Sequence, residues 1–176
     1  MHAKSNMRIA LLAHSTNPRG GVVHALELSD ALTRLGHHAA VHAPDPDHKG
    51  FFRKSISKTV SVDALDAPSD IAGMVKARID DYVRHFENPD NRRFDIFHAQ
   101  DSISGNALAQ LKQRGLIERF ARTVHHIDAF GDERLTEWQS RAIQEADELF
   151  VVSRLWQQRL LSDFGRRSTI VGNGVN

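Results

Sequence analysis

Histidines, carboxylates and glycines recur in this 176-residue chain at the places where short apolar runs end. Five such places carry polar clusters: His14-Ser15-Thr16-Asn17, His98-Ala99-Gln100-Asp101, His125-His126-Ile127-Asp128, Ser153-Arg154 and Gly172-Asn173-Gly174. Imidazole titrates near neutrality and can donate or accept a hydrogen bond, so three histidines at three run ends could orient a ligand or handle a proton. Polar residues also mark ordinary strand exits, but turns alone do not require three imidazoles. The loop Asn17-Pro18-Arg19-Gly20-Gly21 stands directly before a helical stretch. A helix N-terminus there offers free N–H groups to an anion, and paired glycines let a phosphate approach the backbone.

Several chemistries are disfavoured by the same residues. The glycines do not form G-x-G-x-x-G, and no acidic residue closes the second apolar run, which argues against a dinucleotide cofactor. No G-K-[ST] follows them, so a Walker loop is excluded. Ser102-Ile103-Ser104-Gly105 lacks the order of a nucleophile elbow. His98, Asp101, His125 and Asp128 suit zinc or iron by type, which keeps a metal-dependent hydrolase as a lesser reading. Against it, no H-E-x-x-H pair is present, and neighbouring side chains leaving a strand point to opposite faces, so His125 and His126 cannot share one ligand. The remaining His2, His24, His37, His38, His42, His48 and His85 read as surface or core residues. The absence of cysteine removes disulfides and thiolate metal sites and fits a cytoplasmic setting. Lys and Arg number 23 against 22 Asp and Glu, scattered along the chain, which argues against a nucleic-acid partner.

Elements that could place these residues follow from periodicity. Seven apolar runs read as strands: Arg8–Ala13, Ala39–Ala43, Lys58–Val62, Asp95–His98, Arg122–His125, Glu148–Val152 and Thr169–Val171. Helical windows separate them. Gly21–Leu35 repeats Leu28, Leu32 and Leu35 before a left-handed stop at Gly36. Asp70 caps a window whose Ile71, Val75, Ile79, Val83 and Phe86 recur every three or four residues until Pro89. Ser102–Gly115, Glu133–Ala146 and Ser153–Phe164 complete the set. Near-continuous apolar strands alternating with helices predict an α/β fold: a doubly wound, mostly parallel, Rossmann-like sheet of 6–7 strands with helices on both faces. Pro44–Pro68 breaks the pattern and reads as a mobile insertion with one strand or hairpin. Residues 1–6 read as a loose end, and 7–176 as one domain. The apolar stretch Ile9–Ala13 is far too short to span a bilayer and is not followed by a signal cleavage site. That excludes a membrane anchor there and leaves room for peripheral membrane contact.

The motifs, in order, resemble family-4 glycosyltransferases of the GT-B fold. The start Met7-Arg-Ile-Ala-Leu-Leu, Gly20-Gly21 opening a helix, and Leu35-Gly36-His37 closing it are similar to that family's opening unit. Phe94–Asp101 resembles its D-[IV]-[IV]-H strand end, Arg122–His126 its T-[VF]-H strand and Ala146–Ser153 its A-D-x-[IV]-[IV]-x-x-S segment. Ile170–Asn176 resembles its I-x-N-G-[IV]-[DN] motif. The resemblance implies the amino-terminal, acceptor-side half of a retaining enzyme that moves a sugar from a nucleotide-sugar donor to a sugar, lipid or small-molecule acceptor. It implies that a carboxyl-terminal donor-binding half is missing, that this chain alone is inactive, and that no cofactor or metal is needed. By the same resemblance Gly20 and Gly21 approach the donor diphosphate and His125 stands at the transferred sugar. His98, Asp101, His126, Asp128, Ser153 and Arg154 are the acceptor-side or sugar-binding candidates. His24 lies one residue short of the family's usual histidine position and receives no role. A non-catalytic Rossmann-like binding module is the alternative.

Overall fold

The computed structural model describes residues 6–173. The apolar runs form β1 (Arg8–Leu12), β2 (His38–Pro44), β3 (Lys58–Val62), β4 (Ile96–Ala99), β5 (Ala121–Val124), β6 (Glu148–Val151) and β7 (Thr169–Ile170). Between them lie α1 (Gly20–Arg34), α2 (Ile71–Glu87), α3 (Ser102–Gln113), α4 (Glu133–Gln144) and α5 (Arg154–Phe164). The expected loose end falls mostly on residues 1–5, and the last three residues of the closing motif on 174–176; both lie outside the described residues. Among the described residues no helix is long and apolar enough to cross a membrane.

The seven strands run parallel in the order β3-β2-β1-β4-β5-β6-β7. Successive connections therefore move one way from β1 to β3 and the other way from β4 to β7, and right-handed crossovers place the two sets of helices on opposite faces. Side-chain alternation sorts the core accordingly. Ile9, Leu11, Ala39 and Val41 pack beneath Val22, Ala25 and Leu26 of α1. Ala10, Leu12, Phe97, Val124 and Val151 belong to the larger core with Ile79, Tyr82 and Phe86 of α2, Leu108 and Leu111 of α3, and Ile143 of α4. Coverage is uneven. Beyond α1 the first face presents Ile96, His98, Thr123 and Phe150 to an open cavity of about 720 Å3.

Helix starts follow short polar residues. Asp70 accepts from the Gly73 N–H at 2.8 Å, Asp101 from Ser104 at 2.9 Å, Asp132 from Arg134 at 2.9 Å, and Ser153 from Trp156 at 3.4 Å. The α1 N-cap, Arg19, gives its first turn no side-chain acceptor. Gly36 takes φ +91° after α1, the left-handed stop its position requires.

The Pro44–Pro68 segment supplies one edge strand, β3, and its approach is fastened rather than loose. Buried Asp45 accepts from the N–H groups of Lys49 and Gly50 and from Ser61 Oγ. Asp30 of α1 accepts from Ser55 Oγ and from the N–H groups of Ile56 and Ser57, with Arg53 alongside at 3.5 Å. Burial pushes the Asp30 carboxyl up, but those donors outweigh it and hold the group below the ordinary range. Sequence composition missed this because the acceptor comes from another element.

Asp30→Ala should therefore lower unfolding free energy by about 2 kcal/mol, measured by urea denaturation, since several buried donors lose their acceptor. An unchanged midpoint contradicts the assigned role. A second expectation concerns pH. Burial, then neighbouring His85, pushes His42 down from 6.5 to about 3, so the unfolded chain holds the extra proton between those values. Stability should fall by about 2 kcal/mol or more as pH drops from 6.5 to about 4.5, before most carboxylates titrate. His42→Leu should reduce that slope, to which buried His98 and His125 also contribute; equal slopes would contradict burial of a neutral His42 ring.

Candidate functional site

The direction of chain progression reverses between β1 and β4, so the crevice of this open sheet lies beyond their carboxyl ends. A cavity of about 850 Å3 occupies that edge. Its polar side includes Arg19, Gly20, Gly21, His24, His125 and His126, with His14 and Asp101 beside them. Ile71, Ile103, Phe130, Leu135 and Trp138 form an apolar wall.

Gly21 and His125, more than a hundred residues apart, face each other here. A methyl group at Gly21 would meet His125 Cδ2 at 3.5 Å and Nε2 at 3.7 Å, ordinary van der Waals contact, so the first turn of α1 stands one small side chain's width from the ring. Gly20 has open space above it, so its surface is free for a ligand. The N–H groups of Val22 and Val23 both turn back to Arg19 O, whereas Gly20 and Gly21 begin the helix without a side-chain cap.

Strand alternation separates the remaining groups into two sets. On the α1 side, His98 Nε2 bonds Thr123 Oγ1 at 2.8 Å, and two residues further along each chain His125 Nε2 bonds Gln100 Oε1 at 3.0 Å. The His24 ring packs edge-on against His125 with centroids 4.8 Å apart. Burial, reinforced by His24, pushes His125 down to about 4, so the ring is neutral at pH 7. Burial also lowers His24, against the effect of Asn173. On the opposite side, His14 Nδ1 lies 3.8 Å from Asp101 Oδ2, an ion-pair distance rather than a hydrogen bond. The Asp101 partner holds His14 above its ordinary value. Burial raises Asp101, but His14, the Ser104 N–H and Arg122 together hold it below the usual carboxylate range. Arg122 is buried and pushed down to about 10, with Nη2 on Ser102 Oγ at 3.1 Å; it remains cationic.

The expected site residues thus divide. His125 faces the cavity through its packing on Gly21, while His126 is exposed and pairs with Asp128 at 3.1 Å. Gln139 fixes that loop by accepting from the Asp128 N–H and donating to its carbonyl, both at 2.9 Å. Asp101 reaches the cavity while also capping α3. His98 sits inside the strand, facing the sheet-side cavity and Phe150 instead. Ser153 caps α5, and neither it nor Arg154 is among the residues lining the edge cavity. His24, read as a surface or core histidine, is a wall of the site; it stands one helical turn from Gly21, the spacing that shares a helix face. Gln100 and His14, noted in the strand-end clusters but given no site role from sequence, are further members. The four residues weighed as metal ligands lie on different sides of the sheet edge. Among the described residues no group of three or more His, Asp or Glu side chains is placed to hold a metal ion.

The family model described as Glycosyltransferase Family 4 matches residues 18–176. The chain belongs to glycosyltransferase family 4. Among solved structures, sucrose-phosphate synthase from Thermosynechococcus elongatus matches this family-4 domain with TM-score 0.77 and 18% identity, covering 97% of this chain and 49% of that one. A glycosyltransferase from Rickettsia africae matches with TM-score 0.66 and 15% identity, over 98% of this chain and 44% of the other. UDP-GlcNAc 2-epimerase from Methanocaldococcus jannaschii does so with TM-score 0.66 and 13% identity, over 95% and 46%. The domain spans about half the length of these proteins. No curated protein matches it. The fold they share is the doubly wound, Rossmann-like half of GT-B glycosyltransferases.

In the family-4 domain Asp101→Asn should retain the α3 cap, because an amide oxygen still accepts from Ser104, while removing the charge facing His14. The His14 pKa should then fall, read by NMR titration of its ring protons. An unmoved His14 would contradict the ion pair.

Proposed function

We propose that this domain is the acceptor-side half of a retaining glycosyltransferase that uses a nucleotide-sugar donor and acts together with a carboxyl-terminal donor-binding half. One observation carries the reading: the Gly20-Gly21 helix start and the neutral His125 ring meet at one cavity on the carboxyl edge of the sheet. The uncapped start of α1 presents N–H dipoles to the donor diphosphate, which gains negative charge as it departs. In the transfer, the bond from the anomeric carbon to the diphosphate oxygen breaks and the acceptor hydroxyl oxygen bonds that carbon. The hydroxyl proton leaves with the diphosphate. His125 touches the transferred sugar and orients it for this exchange. Asp101, His126 and Asp128 border the acceptor position, and closure of the partner half over the cavity would exclude water.

One structurally similar protein, TcCGT1, was solved in complex with UDP, which accords with a nucleotide-sugar donor. No resident metal is required where backbone N–H groups and cations of the donor-binding half neutralise the diphosphate. The cysteine-free composition accords with a cytoplasmic setting. The epimerase among the similar structures favours a second reading, nucleotide-sugar chemistry without an acceptor. Product formation that depends on an added acceptor separates the two.

In the polypeptide carrying both halves, His125→Ala should lower transfer from a UDP- or GDP-sugar by at least about a hundredfold while the circular dichroism spectrum is retained. Undiminished turnover removes His125 from the reaction. Gly20→Val, whose Cβ meets no protein atom within 4 Å, should raise the donor KM by about tenfold through obstruction of the diphosphate. Unchanged donor kinetics contradict that assignment.

A further inference from the structure

Gln100 follows β4 with its side chain on the His98 side of the sheet, and the residue is only 3% exposed. Its Oε1 lies 3.0 Å from His125 Nε2, while its Nε2 has no partner among the described residues. An amide oxygen can only accept, so the proton between these atoms belongs to the imidazole. Gly21 packs on the Cδ2 and Nε2 side of the ring, and His24 closes against it edge-on. The nitrogen left for a ligand is Nδ1.

We infer that Gln100 is a positioning residue that fixes the His125 proton on Nε2, so that Nδ1 faces the cavity as a hydrogen-bond acceptor and selects a hydroxyl. An esterified diphosphate oxygen, as in a nucleotide-sugar, or a carboxylate carries no proton to offer at neutral pH and is excluded from that point, whereas the N–H groups of the α1 start donate to anions and cannot accept a hydroxyl proton. The two sides of the cavity thereby divide one donor: diphosphate at Gly20-Gly21, sugar or acceptor hydroxyl at His125. This assignment of the hydroxyl rests on the glycosyl-transfer reading; the tautomer does not. The charged or titratable groups that act on His125 are His24 from α1, His126 beside it, and, from across the sheet, Asp101 before α3 and Arg122 on β5. With the ring neutral at pH 7, there is a single proton to place.

The test is long-range 1H–15N NMR of the histidines in the 176-residue chain at pH 7. His125 should show a protonated Nε2 and a bare Nδ1. A protonated Nδ1 overturns the proposal, as it would mean that the Gln100 amide is turned to donate. Gln100→Leu should populate both tautomers, and an unchanged tautomer ratio in a folded variant also overturns it. Gln100→Glu keeps an acceptor at the same place and should raise the His125 pKa by about one unit or more. If Gln100→Leu fails to fold, the wild-type tautomer and the Gln100→Glu titration still decide. In the polypeptide with both halves, Gln100→Leu should lower kcat by at least about tenfold with donor KM within about twofold, and Gln100→Glu should recover part of the loss. An Nε2-protonated ring combined with undiminished transfer by His125→Ala would uphold the positioning and overturn the hydroxyl assignment.

Discussion

The period-two alternation of side chains along a parallel strand is the constraint from which the site follows. Because His98, Gln100, Thr123 and His125 share one parity, they pair across β4 and β5 as two successive hydrogen bonds on the α1 side. Asp101 and Arg122, of the other parity, fall on the opposite side with His14. One sheet edge therefore carries a neutral imidazole wall beside α1 and a half-buried charged cluster beneath α3. Without that separation His125 would lie against Arg122 and Asp101 directly, and its ionisation would follow theirs.

The neutral wall depends in turn on where α1 lies. Its first turn stands over the His125 ring at Gly21 and helps to bury the imidazole, while the helix start itself carries no side-chain cap. Burial holds the ring neutral, and the open start supplies the dipoles an anion needs. The placement of one helix thus bears on two chemical properties of the cavity. The switch in strand order between β1 and β4 then explains why the cavity lies at this edge.

Much of the scaffold could be read from the chain because it is local. The Ile71, Val75, Ile79, Val83 and Phe86 spacing and the Asp70 cap define α2, and short apolar runs define every strand within a residue or two. Of the candidate site, the sequence motifs named Gly21 and His125, which the fold brings to one cavity. The site was less legible where one residue type serves two purposes. A short polar residue after a strand suits both a ligand and a helix cap, and Ser153 is used as a cap while Asp101 does both. Gln100 needed the β4–β5 register, which joins residues 25 apart, and His24 needed the rotation of α1 on the sheet. The anchoring of the Pro44–Pro68 segment was hidden for the same reason, since Asp30 reaches it from α1.

Function, on this reading, requires one donor to be held at the edge cavity by both Gly21 and His125. Titration of the isotope-labelled protein with UDP- and GDP-sugars, following backbone amides and histidine rings by NMR, tests that requirement at its source. Gly20 and Gly21 amides and the His125 ring should shift together along one binding curve. Shifts confined to His98, Ile96 and Phe150 in the sheet-side cavity, with Gly20, Gly21 and His125 unmoved, would contradict it.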